Sequence, residues 1–145
     1  ALAHPAFNPV AAHYHYAALG NNKFLEFQQH KIKAKSFCYL WRAYCCCLWI
    51  EEFGSIPPVP LEPLMAPLSK LTPNLIKAVN ELITLKRSQE ESWVIEVPLF
   101  VHQFVKHIKQ HIDQTALKHR PTLDHASYDQ FLFQWVHRAP LLSDQ

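Results

Sequence analysis

The chain has 145 residues, 49% hydrophobic and 18% charged, with a net charge of +2. That length and balance suit one domain with a real core and exclude a disordered chain. The near-neutral charge excludes a general nucleic-acid coat, so any basic function must be local. Only two glycines, Gly20 and Gly54, are present, which excludes a Gly-rich phosphate loop of the Walker or Rossmann kind.

Asn8-Pro9 has the order of a helix N-cap followed by proline at the first helical position. The segment that follows carries Tyr16, Leu19, Phe24 and Phe27 at rough helical spacing, and Gly20-Asn21-Asn22 is expected to loosen or break it. A second helix is predicted from Lys31 to Phe53, with Gly54 as its left-handed terminus and Pro57 and Pro58 preventing continuation. The prolines between Pro57 and Pro73 interleave with Leu61, Leu64, Met65 and Leu68, which predicts a core-hugging connector with one helical turn. Thr72-Pro73 repeats the cap signature, and Leu75, Ile76, Val79, Leu82, Ile83 and Leu85 predict an amphipathic helix to about Ser88. SQEES reads as a polar loop and WVIEV as a short extended piece. A further helix begins near Pro98 and turns Phe100, Val101, Phe104, Val105, Ile108 and Ile112 inward. Asp124 is placed to cap a last helix bearing Tyr128, Phe131, Leu132, Trp135 and Val136. The predicted fold is all-α: a bundle of about five helices with a Pro-rich connector, one domain over residues 1–145.

The four cysteines, Cys38, Cys45, Cys46 and Cys47, all fall in the second predicted helix. Neighbouring positions on a helix point apart, so they suit neither a disulfide framework nor a zinc site, and small buried hydrophobes in a reducing compartment are expected. No signal peptide is visible, and the longest apolar run is interrupted by Arg42, short of the ~20 residues of a membrane span. A cytoplasmic protein without a membrane partner is expected. The first residue is Ala1 rather than Met, as a fragment or processed product would have.

Three groups of residues could carry chemistry. His107 and His111 are spaced to present two imidazoles to one metal, but no intervening acid supplies HExxH chemistry, and a solvated polar face is expected instead. Arg120 and His125 have the R-x4-H spacing of HEPN-type helical ribonucleases, with Pro121 directly after the arginine. The third group opens the second helix. Lys31, Lys35, Tyr39 and Arg42 fall at i, i+4, i+8 and i+11 and form one stripe, opposite Phe37, Leu40, Tyr44, Leu48 and Trp41 or Trp49. Two ammoniums, a phenol and a guanidinium suit a phosphate-facing surface. The stripe also poses a charge problem. Lys31, Lys33 and Lys35 lie at the positive end of the helix dipole, Glu51 and Glu52 at the negative end.

The run KIKAKSFCYLWRAYCCCLWIEEFGSIPPVPLEPLM resembles a segment of the predicted nucleotidyltransferases of the DNA polymerase β superfamily associated with RNA repair, the RlaP type. There a K-x3-Y-x2-R helix leads through W-[IL]-E into a Pro-Pro segment. Lys35, Tyr39, Arg42, Ala43, Trp49, Ile50, Glu51, Pro57 and Pro58 stand in those places. Tyr14, Asn22, Lys23 and Phe24 match the family's preceding helix, and Lys86 and Arg87 the basic end of its following one. The resemblance spans Ala11 to Arg87 and continues beyond only as helix pattern. It implies the C-terminal helical part of a two-part enzyme whose catalytic half holds a Gly-Ser turn and an Asp-x-Asp pair for Mg²⁺. Neither motif is found here, so no residue of this chain is expected to be catalytic. Lys31, Lys35, Tyr39 and Arg42 are then expected to bind a nucleoside triphosphate or an RNA acceptor, with Mg²⁺ held by the complete enzyme. The catalytic domain would be a partner in cis or in trans. A HEPN-like ribonuclease and a non-catalytic module docking a nucleotidyltransferase are the alternatives.

Overall fold

Asn8 and Pro9 start the first helix as their order predicts. The Asn8 side chain accepts from the backbone N–H of Ala11 at 3.1 Å, and α1 runs from Pro9 to Phe24. The computed structural model describes residues 7–69, 73–88, 93–117 and 129–135. Within them follow β1 (Lys31–Lys33), α2 (Ala34–Phe53), α3 (Leu61–Ser69), α4 (Pro73–Ser88), β2 (Val94–Glu96), α5 (Leu99–Leu117) and α6 (129–135). The protein is mostly helical, as its periodicities predict, with six helices among the described residues rather than about five. Thr72, Asp124, Tyr128 and Val136 lie outside the described residues, as do the R-x4-H pair Arg120 and His125.

Three expectations need correction. Gly20 does not break α1. It is buried against α2, where an added Cβ would lie 2.5 Å from Cδ1 of Tyr44, so this glycine serves close approach rather than flexibility. The second helix does not begin at Lys31. Lys-Ile-Lys forms β1, antiparallel to β2 in the register Lys31↔Glu96, Ile32↔Ile95 and Lys33↔Val94, with Ile32 and Ile95 buried and the lysines exposed. The connector holds a nine-residue helix, α3, rather than one turn. Pro63 sits in its first turn, where no N–H is needed, and burial of Leu64, Met65 and Leu68 offsets the defect at Pro67.

The core is built around α2. Phe37, Leu40, Trp41, Tyr44, Cys45, Cys47, Leu48 and Ile50 are all buried, with α1 along one side and α3, α4 and α5 against others. Trp41 takes the core place and Trp49 stays half-buried against Phe53. Gly54 ends α2 at φ 63°, its N–H bonded to Ile50 O at 2.8 Å. None of the cysteines forms a disulfide. Burial pushes the Cys45 and Cys47 thiols well above their usual range and Cys46 up to about 11, which fits inert packing. No described helix is long and apolar enough to cross a membrane.

Candidate functional site

The charge problem of α2 is only partly relieved at its N-terminus. Lys31 and Lys33 belong to β1, but Lys33 is also the N-cap residue of α2, without a side-chain capping bond, and Lys35 stands in the first turn. The Ala34 N–H is satisfied by Trp93 O at 2.8 Å, and Ser36 donates to Glu26 Oε1 at 2.7 Å. The bond from Ser36, then that from Lys23, holds the Glu26 carboxyl below its usual range. Glu26 thus supplies, from the loop after α1, the negative charge that a helix start favours.

One helical face then carries Lys35, Tyr39 and Arg42 into a single cleft of about 560 Å³, whose far wall is Leu61, Glu62 and Ile83 of α3 and α4. Tyr39 is 53% exposed. The ammoniums of Lys35 and Lys23 each stand 5.9 Å from its ring centroid. The Arg42 guanidinium donates to Val59 O, which ties the end of the connector to the helix. A guanidinium has five N–H donors, so this anchor fixes Arg42 without exhausting it. Lys31 does not join them: it sits on β1, 3.6 Å from Glu96 Oε1. Sequence spacing missed Lys23, which reaches Tyr39 from α1, and Glu62, which reaches the cleft from α3. Both depend on how the helices pack.

The acidic end of α2 takes a different solution. The Glu51 side chain is buried, with His13 Nε2 2.9 Å from Oε2 and His111 Nε2 2.5 Å from Oε1. Burial works to raise its pKa, but hydrogen bonds from His111 and His13 outweigh it and hold the carboxyl below its usual range. An ionised carboxylate has no proton to donate, so both imidazoles carry their hydrogen on Nε2. The His107/His111 pair is therefore not a solvated face, since both rings are buried. His111 turns to Glu51, while buried His107 stacks on Phe131 at 4.8 Å with Nε2 3.3 Å from Phe131 O. Among the described residues no cluster of ligating side chains could hold a metal ion.

A third network locks α1 to α2 and α5. Tyr44 OH donates to Asn21 Oδ1 at 2.7 Å, Asn21 Nδ2 to Asp113 Oδ1 at 2.8 Å, and Lys109 to Asp113 Oδ2 at 2.6 Å. It places the last turn of α1, and with it Lys23, beside the cleft.

The family model described as "RlaP: RNA repair pathway DNA polymerase beta family" matches residues 1–134. The chain belongs to the RlaP family. A relative in Bacillus subtilis strain 168, the uncharacterized protein YcgL, is 32% identical over 102 residues, which cover 70% of this chain and 39% of that protein. The chain thus spans well under half the length of that relative. No solved structure matches it. Of the residues carrying the RlaP resemblance, Lys35, Tyr39 and Arg42 meet at one cleft and Lys23 stands near the Tyr39 ring, whereas Glu51 is buried away from it.

Proposed function

We propose that this RlaP-family chain acts as the helical, substrate-binding part of a nucleotidyltransferase, with the catalytic groups supplied by another domain in cis or in trans. The observation that carries it is the convergence of Lys35, Tyr39 and Arg42 on one cleft. Lys35 and Arg42 suit phosphate oxygens, Arg42 through its fork and Lys35 as a point charge. Glu62 on the opposite wall disfavours a bare anion and accepts from hydroxyls, so a ligand with both phosphates and a ribose fits better than phosphate alone. Lys31 lies outside this group, and the proposal rests on the other three. Exposed Val59, next to the cleft residue Pro60 and holding Arg42 through its carbonyl, leaves apolar surface at the cleft's edge for the catalytic domain.

The test is nucleotide binding by the full-length protein. Arg42→Ala is expected to weaken it about tenfold or more, as loss of a charge-assisted contact to phosphate would. Cys38 lines the same cleft, so bound nucleotide should slow its alkylation. Undiminished binding by the Arg42 variant would sink the reading.

A further inference from the structure

A second cleft, of about 520 Å³, opens between the end of α1, the turn before β1 and the first turns of α5. Three rings form its floor. Phe27 lies 4.6 Å from His102 and 5.5 Å from Phe24, and Phe24 stands 6.5 Å from His102 with its plane inclined by 23°. Leu25 and Leu99 flank the rings at 78% and 53% exposure. Cations border the same floor. Lys106 follows His102 by one turn of α5, His30 stands on the turn, and the Lys109 ammonium lies 5.6 Å from the Phe24 centroid while paired with Asp113. His102 registers their field: burial holds its imidazole below the usual range, and Lys106 and His30 push the same way.

The wall of this cleft is rigid. Gln28 and Lys31 exchange both backbone hydrogen bonds, at 2.8 and 3.0 Å, and His30 O accepts from Val97 N–H at 2.9 Å. Gln29 between them is held at φ 61°, a conformation that costs a non-glycine residue and persists only where its surroundings enforce it. Flat apolar rings beside cations fit a ligand that joins a planar ring to an anion. Glu96, 4.0 Å from His30 and 3.6 Å from Lys31, keeps the surplus of positive charge small, so stacking must carry most of the affinity.

We propose that the cleft of Phe24, Phe27 and His102 takes an unpaired nucleotide of single-stranded RNA, its base on the rings and its phosphate toward Lys106. The site is separate from the Lys35–Tyr39–Arg42 cleft and does not rest on the nucleotide reading of that cleft. Binding of a fluorescent oligouridylate to the full chain tests it, with duplex RNA of equal length and uridine monophosphate as comparisons. The single strand is expected to bind most tightly. Phe27→Ala should weaken it about fivefold or more, as loss of one stacked base does. Phe27→Leu, which keeps the apolar bulk, should also weaken it, and Lys106→Gln should make the affinity less sensitive to salt. The proposal is overturned if Phe27→Leu and Lys106→Gln bind as the parent does. It is equally overturned if duplex or the mononucleotide matches the single strand.

Discussion

At its C-terminal end α2 buries Glu51 under two imidazoles. Along its N-terminal half it holds Lys35, Tyr39 and Arg42 toward an open cleft. The difference lies in what each charge costs. A carboxylate removed from water must recover several kcal/mol from partners, and here the partners come from α1 and α5 at long sequence separation. That end is therefore a fastener between helices, closed to a ligand because both carboxylate oxygens are buried and each is bonded to an imidazole. Cations on a half-exposed face cost little to hold and add little stability. They remain available for an incoming anion, which is why the binding reading attaches to this end.

The comparison can be broken most severely at Glu51. His13→Leu removes one of its two donors and leaves a buried carboxylate half-satisfied, so a loss of about 3 kcal/mol or more in urea denaturation is expected. If the loss is under about 1 kcal/mol, the fastener is not energetic. A smaller effect should follow from pH. The folded Glu51 carboxyl lies below its unfolded value, so its contribution is present above about pH 4.3 and is lost as pH falls through the lower folded value. His102, also held below its usual range, contributes stability above about pH 6.5 that is lost as pH falls through its lower folded value. The urea midpoint should thus drop in two stages on acidification, with the lower stage missing from Glu51→Gln.

At the other end the effects shrink. Ser36→Ala breaks the bond to Glu26 and should cost at most about 1 kcal/mol, since Glu26 is exposed to solvent. Arg42→Ala should change the unfolding free energy measured in urea by less than about 0.5 kcal/mol while weakening nucleotide binding. A large stability loss there would erase the contrast between the two ends.

The helices were legible because core positions recur with helical spacing: Val101, Phe104, Val105, Ile108 and Ile112 of α5 are buried as their pattern requires. The Asn8 and Gly54 caps were legible because their local chemistry has few alternatives. β1 was misread as helix because the Lys31–Lys35–Tyr39–Arg42 spacing extended the helical pattern backward. The Lys-Ile-Lys alternation, mirrored in Val-Ile-Glu of β2, was the available signal. Most of the cleft could be read from one helix, since three of its cations and rings share a face. Glu62 in the cleft and the place of Lys23 near Tyr39 could not be read from spacing, because only packing brings α3 and α1 there. The same holds for Glu51, whose acid at a helix C-terminus looked like a defect until His13 and His111 were in place.

Gly20 has a consequence beyond its own contact. With the Tyr44 ring seated in the gap left by its missing side chain, α1 is indexed against α2 like a notched shaft. A slip of one turn along the helix is about 5.4 Å. Such a slip would carry Lys23 off the Tyr39 ring and Phe24 off the His102 floor together, so a single hydrogen atom at Gly20 sets the alignment of both clefts.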